Sequence, residues 1–271
     1  RWQSLVTCRD CWWMSYRPKE NRIECRRFSQ LLKEIDDEVQ CSAFRRKEQD
    51  LEKNIRSTER YYQEIGREYD ELWYSPYAYV QNKKLYSFLR RKISQLSSTC
   101  SLVLDAGCGT CEWATFMIER GASVVAFDRS LKMLQIGREK SLSRAFMQNL
   151  NLVRGDLSLL PFKERIFDGV RTLFVLGHLP DDKMEIFLDE LARVIKEGGW
   201  MLFVDTRLHE PHRSKELQVR TLEDGREYIV YKRYFTAVEL ETLLEKSFSC
   251  SFSVLEIDRY VICISSPTLD N

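Results

Sequence analysis

Three carboxylates and two glycines carry the clearest chemical pattern in this sequence. The run Leu104-Asp105-Ala106-Gly107-Cys108-Gly109-Thr110 follows an apolar stretch and precedes a helical one. Gly107 and Gly109 let the backbone turn tightly and approach a ligand with no Cβ in the way. The helix start behind them offers unsatisfied amide donors. Asp105, just before the glycines, is poorly suited to a pyrophosphate, because like charges repel, and suits a ligand that bears an ammonium group. Asp128 ends SVVAFD, 19 residues after Gly109, where an acid can accept hydrogen bonds from both hydroxyls of a ribose. Asp156 ends NLVRGD, at the next strand edge, where it could receive the amino group of an adenine.

Each acid also has a plainer reading: Asp128 as a helix cap, Asp156 as a turn residue, Asp105 as a charge facing a helix dipole. Together, however, ammonium, ribose and adenine describe S-adenosylmethionine (SAM) better than they describe NAD. A dinucleotide G-x-G-x-x-G loop would also want its third glycine where Glu112 stands. His178 lies just past a strand, at the rim where open α/β sheets hold ligands. Its ring could act as a general base or simply shape the pocket. Cys108 and Cys111 form a C-x-x-C, but Cys108 belongs to the glycine loop and no second pair follows it, which argues against metal or redox chemistry.

Such residues need a scaffold that gathers strand ends. SLVLDAG, SVVAFD, NLVRGD, FDGVRTLFVLG and WMLFVDT read as strands. They alternate with the helical stretches CEWATFMIERG, KMLQIGREKSLSRAF and DKMEIFLDELARVIKEGG. That alternation predicts an α/β fold, a Rossmann-like, doubly wound and mostly parallel sheet covered on both faces. Further on, GREYIVYKRYFT reads as antiparallel β structure, TAVELETLLEKSF as a helix with a Thr cap, and SFSVLEIDRYVICIS as terminal strand material. Upstream, residues 42–98 form a helical extension. Leu51, Ile55, Thr58, Tyr62, Ile65, Tyr69 and Leu72 step by three and four along one face, predicting a long helix that Ser75-Pro76 ends. A second helix is expected from Tyr79 to about Ser94. The seam fits a helix lying on its own domain or a pairing of two copies as a homodimer, and its tyrosines favour the first. Residues 1–41 read as an irregular, Trp-bearing segment closed by a weak helix, RRFSQLLKEIDDEV.

Residues from about 100 to 205 resemble the class I SAM-dependent methyltransferases. VLDAGCGT, VVAFD, GDLSLLPF, FDGVRTLFVLGHL and LARVIKEGGWMLFVD stand in that family's order and spacing. The resemblance implies a seven-stranded sheet whose last strand is antiparallel, with SAM as cofactor. It implies that Asp105, Gly107, Cys108 and Gly109 hold the methionine portion and that Asp128, with Arg129 beside it, takes the ribose. Asp156 and Leu157 would flank the adenine, and the segment from Val175 to His178 would line the cavity near the sulfonium. Cys111 replaces a frequent glycine. YDELWY resembles the family's lid helix, so Tyr62, Tyr69, Trp73 and Tyr74 are candidates for the acceptor side, hydrophobic docking being the plainer role. Relatives build acceptor specificity after the fifth strand. Here an insertion at about residues 206–235 places Arg207 and Tyr231 among many cations, and a carboxylate- or phosphate-bearing acceptor is conceivable. Five acids in the same stretch dilute that charge.

Cys8-x-x-Cys11 with Cys25 and Cys41 could hold a structural Zn²⁺ tetrahedrally, although the second pair lacks a knuckle spacing. A filled site would suggest a module that recognises a macromolecule. Bulk composition is less directive. Lys and Arg number 42 against 41 Asp and Glu, so the formal charge of +1 indicates no polyanionic partner, although the first hundred residues are net positive. No unbroken apolar run of about 18 residues suggests a membrane span. Nine cysteines make a poor disulfide framework and favour a reducing, cytoplasmic setting. The chain opens on Arg1 rather than Met, so targeting is not judged from its start.

The sequence therefore predicts three zones, residues 1–41, 42–98 and 99–271. The expected function is methyl transfer from SAM to an O or N nucleophile of a small molecule. An RNA or protein acceptor is the runner-up, and a catalytically silent SAM-binding scaffold is the third reading.

Overall fold

The computed structural model describes residues 14–17, 22–25, 30–32, 53, 56–97, 101–143 and 147–265. It falls into two compact units, Arg1–Arg56 and Ser57–Asn271. In the first, β1 (Met14–Arg17), β2 (Arg22–Cys25) and β3 (Gln30–Leu32) form an antiparallel three-stranded sheet in that order. This corrects the irregular reading, and β3 lies inside the stretch expected as a helix. Pairing with β2 overrides a weak helical periodicity there.

The second unit is built on a seven-stranded sheet. Its parallel strands are β4 (Leu102–Ala106), β5 (Ser123–Asp128), β6 (Leu150–Arg154), β7 (Phe167–Leu173) and β8 (Ile195–Thr206). β12 (Tyr260–Ser265) runs antiparallel to β8, and β11 (Ser253–Ile257) antiparallel to β12, giving the order β11-β12-β8-β7-β4-β5-β6. Order reverses at β4, so the C-terminal ends of β4 and β7 flank the crevice where such sheets take ligands.

Alternate side chains point to opposite faces of each strand, and both faces are sealed. Val103, Val124, Leu202 and Ile262 pack with α4 (Lys83–Leu96) and α5 (Glu112–Ile118) through Leu89, Ile93, Trp113 and Met117. Their neighbours Leu104, Val125, Phe203 and Val261 pack with α7 (Asp181–Val194) and α8 (Ala237–Phe248) through Phe187, Leu191, Leu240 and Leu244. A sixth helix, α6 (Leu131–Ser143), connects β5 to β6. As expected, Thr236 caps α8, its hydroxyl accepting from the amide of Glu239.

Two boundaries differ from expectation. The helix before β8 was expected to run to Gly199 but stops at Val194, because Ile195 is drawn into register with Phe167 of β7. GREYIVYKRYFT is antiparallel β structure as expected: β9 (Lys215–Thr221) and β10 (Glu227–Arg233) form a hairpin separate from the main sheet, and SFSVLEIDRYVICIS supplies both β11 and β12. The single long helix is broken into α1 (residues 56–64) and α2 (Glu68–Tyr74). Gly66 makes the break at φ +54°, a conformation glycine takes without strain, and a Cβ there would overlap the Lys132 side chain.

The remaining helical extension is also in two pieces, α3 (Pro76–Gln81) and α4, parted at Asn82. The seam docks on its own domain: Thr58 and Ile65 are buried, Ile65 among Tyr61, Met133, Leu222 and Val230, whereas Leu72 is 59% exposed. Among the described residues no helix is long and apolar enough to cross a membrane.

Candidate cofactor and acceptor site

β4 delivers the chain into the glycine loop. Gly107 (φ +76°) and Gly109 (φ +53°) take left-handed turns, and a Cβ at Gly107 would overlap Cγ2 of Val175. The amides of Gly107 and Cys108 both donate to the carbonyl of Phe127, at 2.8 and 3.0 Å, which ties the loop to the end of β5. Asp128 completes the tie. Its Oδ2 accepts from the amide of Gly109 at 2.9 Å and its Oδ1 from that of Ser130 at 2.8 Å. Burial pushes its carboxyl above the ordinary value, against those backbone bonds. Each oxygen keeps a further lone pair for a hydroxyl donor.

Asp156 stands at the neighbouring strand end. It is more exposed, with Oδ1 accepting from Ser158 N at 2.9 Å and Oδ2 lying 3.6 Å from the Arg129 guanidinium. Burial alone would raise its carboxyl, but the Ser158 bonds and Arg129 hold it below the usual range. Arg129 itself also pairs with Glu59 of α1, and Leu157 packs on the core beneath.

Asp105 has a buried partner on the next strand. It is fully enclosed and pairs with Arg171, its register partner on β7, at 2.5 Å. Its Oδ2, and Nε and Nη1 of Arg171, are buried without hydrogen-bond partners. Burial lifts the Asp105 carboxyl to about 6, with Arg171 opposing. A lone buried carboxylate is costly, and the ion pair with Arg171 under the loop offsets that cost. Arg171 was missed because an arginine inside FDGVRTL looks like an exposed strand residue until the sheet covers it.

The lid helices lie over this edge. The Asp70 carboxylate of α2 accepts from the Thr110 hydroxyl and pairs with Lys140 at 3.0 Å, and Lys140 pairs with Glu112 of α5 at 3.1 Å. Tyr69 reaches 3.7 Å from the Cβ direction of Gly109 and meets Tyr62, Trp73 and Tyr74. Trp73 stacks on Phe174 at 5.7 Å, and Phe174 follows β7 with a φ of +60°. Burial raises the hydroxyl pKa of both Tyr69 and Tyr74.

His178 sits where the lid meets the hairpin. Its Nδ1 lies 2.9 Å from the carbonyl of Tyr231, which only accepts, so Nδ1 carries the proton. Nε2 is then the acceptor for the Tyr62 hydroxyl at 2.9 Å, and that hydroxyl accepts from Arg220 Nη1 at 3.0 Å. Burial, then Lys232 and Arg220, push the imidazole well below its ordinary value, so it is neutral near pH 7. Beneath it Asp205 is clamped by Lys232 at 3.0 Å and by the amide of Gly177 at 2.7 Å. Tyr231 thus contributes its carbonyl, while burial pushes its own hydroxyl up to about 12. Arg207 is not part of this group, because it pairs with Glu256 of β11 at 2.9 Å.

Cys8, Cys11 and Cys41 lie outside the described residues, as does the side chain of Cys25. Among the described residues no cluster of three or more His, Cys, Asp or Glu could hold a metal. Cys108 and Cys111 are free thiols with their sulfurs 3.7 Å apart.

Comparison with known proteins agrees with this geometry. Residues 103–199 match the family described as Methyltransferase domain. A demethylmenaquinone methyltransferase from Listeria monocytogenes is 39% identical over 107 residues, covering 38% of this chain and 44% of that protein. One from Staphylococcus aureus is 31% identical over 160 residues, covering 58% and 63%. The chain thus spans roughly half the length of the curated relatives it matches. The DhpI–SAH complex superposes with a TM-score of 0.63 at 27% identity, covering 79% of this chain and 97% of that one. Sheet order, glycine loop and these matches agree: the chain has a Rossmann-like fold, and residues 103–199 within it are similar to methyltransferase domains.

Proposed function

We propose that the chain transfers the methyl group of SAM to an oxygen or nitrogen of a small molecule that enters between the lid and the β9–β10 hairpin. The observation that carries this reading is Asp128, whose carboxylate fastens the glycine loop at Gly109 from the C-terminal end of β5, the strand next to the β4–β7 switch point. Asp128, with Arg129 beside it, would hold the ribose, Asp156 and Leu157 the adenine, and the loop Gly107–Cys108–Gly109 the methionine portion. The Asp105–Arg171 pair fixes the strand end from which that loop departs. The cofactor, when bound, supplies an activated methyl group. The protein's part is then to align the nucleophile and exclude water. Tyr69, Trp73 and Tyr74 close the cofactor side, and Val175 narrows the approach to Gly107.

His178 serves here as a positioning residue. Its Nε2 is occupied by Tyr62 and its basicity is suppressed, so it holds the lid tyrosine in place rather than drawing a proton from the acceptor. The demethylmenaquinone relatives act on a small molecule by name, in keeping with a small acceptor here. The four free thiols among the described residues suit a reducing, cytoplasmic setting.

Calorimetric titration with S-adenosylhomocysteine tests the reading. Asp128→Ala should weaken binding by about 10- to 100-fold, the loss expected for hydrogen bonds to a charged group. Unchanged affinity in that variant would overturn the placement. Tight binding with no turnover across a broad acceptor screen would favour a silent scaffold.

A further inference from the structure

The hairpin beside His178 carries a cation that no carboxylate among the described residues balances. Arg220, on β9, is half-buried. Nη1 donates to the Tyr62 hydroxyl at 3.0 Å, Nη2 to Gln218 Oε1 at 3.3 Å, and Cζ lies 5.3 Å from the centre of the Tyr61 ring. Among the described residues no carboxylate lies within ion-pair distance of it. Its neighbours differ: Lys232 has Asp205, Arg233 has Asp181 and Glu239, Arg226 has Asp224 and Glu64, and Arg207 has Glu256.

A partly desolvated guanidinium held by neutral oxygens and a ring face gives up some hydration with no counter-charge in return, a cost that a ligand oxyanion would relieve. Its planar fork matches a carboxylate or a phosphate-like group with two parallel hydrogen bonds. Position reinforces the chemistry. Arg220 reaches the Tyr62–His178 pair directly, and that pair stands one turn from Val175 and the glycine loop. The neighbouring Lys232 adds to a positive field that already depresses the His178 imidazole.

We infer that Arg220 is the docking point for an oxyanion on the methyl acceptor, so that the acceptor class is small molecules bearing a carboxylate or a phosphate-like group. The anion would fix which end of the acceptor faces the cofactor, and the Tyr62 hydroxyl, freed from Arg220, would turn to the ligand. This inference rests on the methyltransferase reading above.

The test uses the full chain saturated with S-adenosylhomocysteine, titrated with inorganic phosphate and separately with acetate, followed by tryptophan fluorescence at constant ionic strength. Wild type should show saturable binding of at least one of the two anions. Arg220→Gln should weaken it by about tenfold or more, and Arg220→Lys should retain part of it, as a point charge without the fork would. Both variants should bind S-adenosylhomocysteine within about twofold of wild type, which also shows that they fold. No saturable binding of either anion by wild type, or equal binding by Arg220→Gln, would overturn the inference. If wild type fails to bind S-adenosylhomocysteine, it is the methyltransferase reading that falls, a separate outcome.

Discussion

Replacing Arg171 with methionine keeps an apolar stem of similar reach and removes the charge that compensates Asp105. In the wild type burial lifts the Asp105 carboxyl to about 6, and Arg171 is the chief influence opposing a further rise. A carboxyl whose folded pKa is raised gives most stability below its unfolded pKa and loses it as pH rises through the folded value. For wild type that loss is complete a little above pH 6. Without Arg171 the buried carboxyl keeps its proton to higher pH, so the variant goes on losing about 1.4 kcal/mol per pH unit where wild type has levelled off. Between pH 6 and 7.5 the stability gap between the two proteins should widen by about 2 kcal/mol. A packing penalty that does not depend on pH would add to it. Urea denaturation at pH 5, 6, 7 and 7.5 reads this directly, and the Asp105→Asn, Arg171→Met double variant should abolish the widening. A gap that stays constant across the series would refute the claim that Arg171 sets the ionisation of Asp105.

Two further outcomes follow from the same geometry. Gly107→Ala forces a side chain into a left-handed turn and against Val175 Cγ2, so affinity for S-adenosylhomocysteine should fall by about tenfold or more by calorimetry, and Val175→Ala should restore only the steric part. His178, neutral and depressed well below 6.5, should show no imidazole titration by NMR between pH 8 and 6. Stability linked to His178 should fall as pH drops below the unfolded value near 6.5, because the unfolded chain takes up a proton that the folded ring refuses. Titration of His178 near 6.5 would mean that its contacts with Tyr62 and Tyr231 are not maintained.

The cofactor half of the molecule was legible because its chemistry is written in short, contiguous runs. Strand, glycine turn and helix follow one another in sequence, from β4 through Gly107 and Gly109 into α5. The β4–β8 alternation needed only local periodicity. What escaped was non-local. The Asp105–Arg171 pair joins strands 66 residues apart, and nothing in VLDAG or FDGVRTL announces that the two side chains share a sealed space. Gly66 broke a seam that was otherwise periodic, since one left-handed residue outweighs a favourable heptad. GREYIVY and YVICIS have the same β character, so composition could not say which would join the sheet. Ladder pairing with β8 decided it in favour of YVICIS.

The acceptor side is assembled from three segments that are distant in sequence, and this explains both its obscurity and its logic. α1 brings Thr58, whose hydroxyl accepts from the amide of Tyr231, and Tyr62; the turn after β7 brings His178; the hairpin brings Arg220 and the Tyr231 carbonyl. Each polar atom in this chain is oriented by the next, from the Arg220 donor through the Tyr62 hydroxyl and the imidazole to a carbonyl. Among the described residues, the guanidinium end of this series has no carboxylate to compensate its charge. An acceptor that binds there would draw Arg220 away from Tyr62 and release the tyrosine that holds lid and hairpin together. Recognition of the anion and adjustment of the lid would then be one event, because they share the same hydrogen bond.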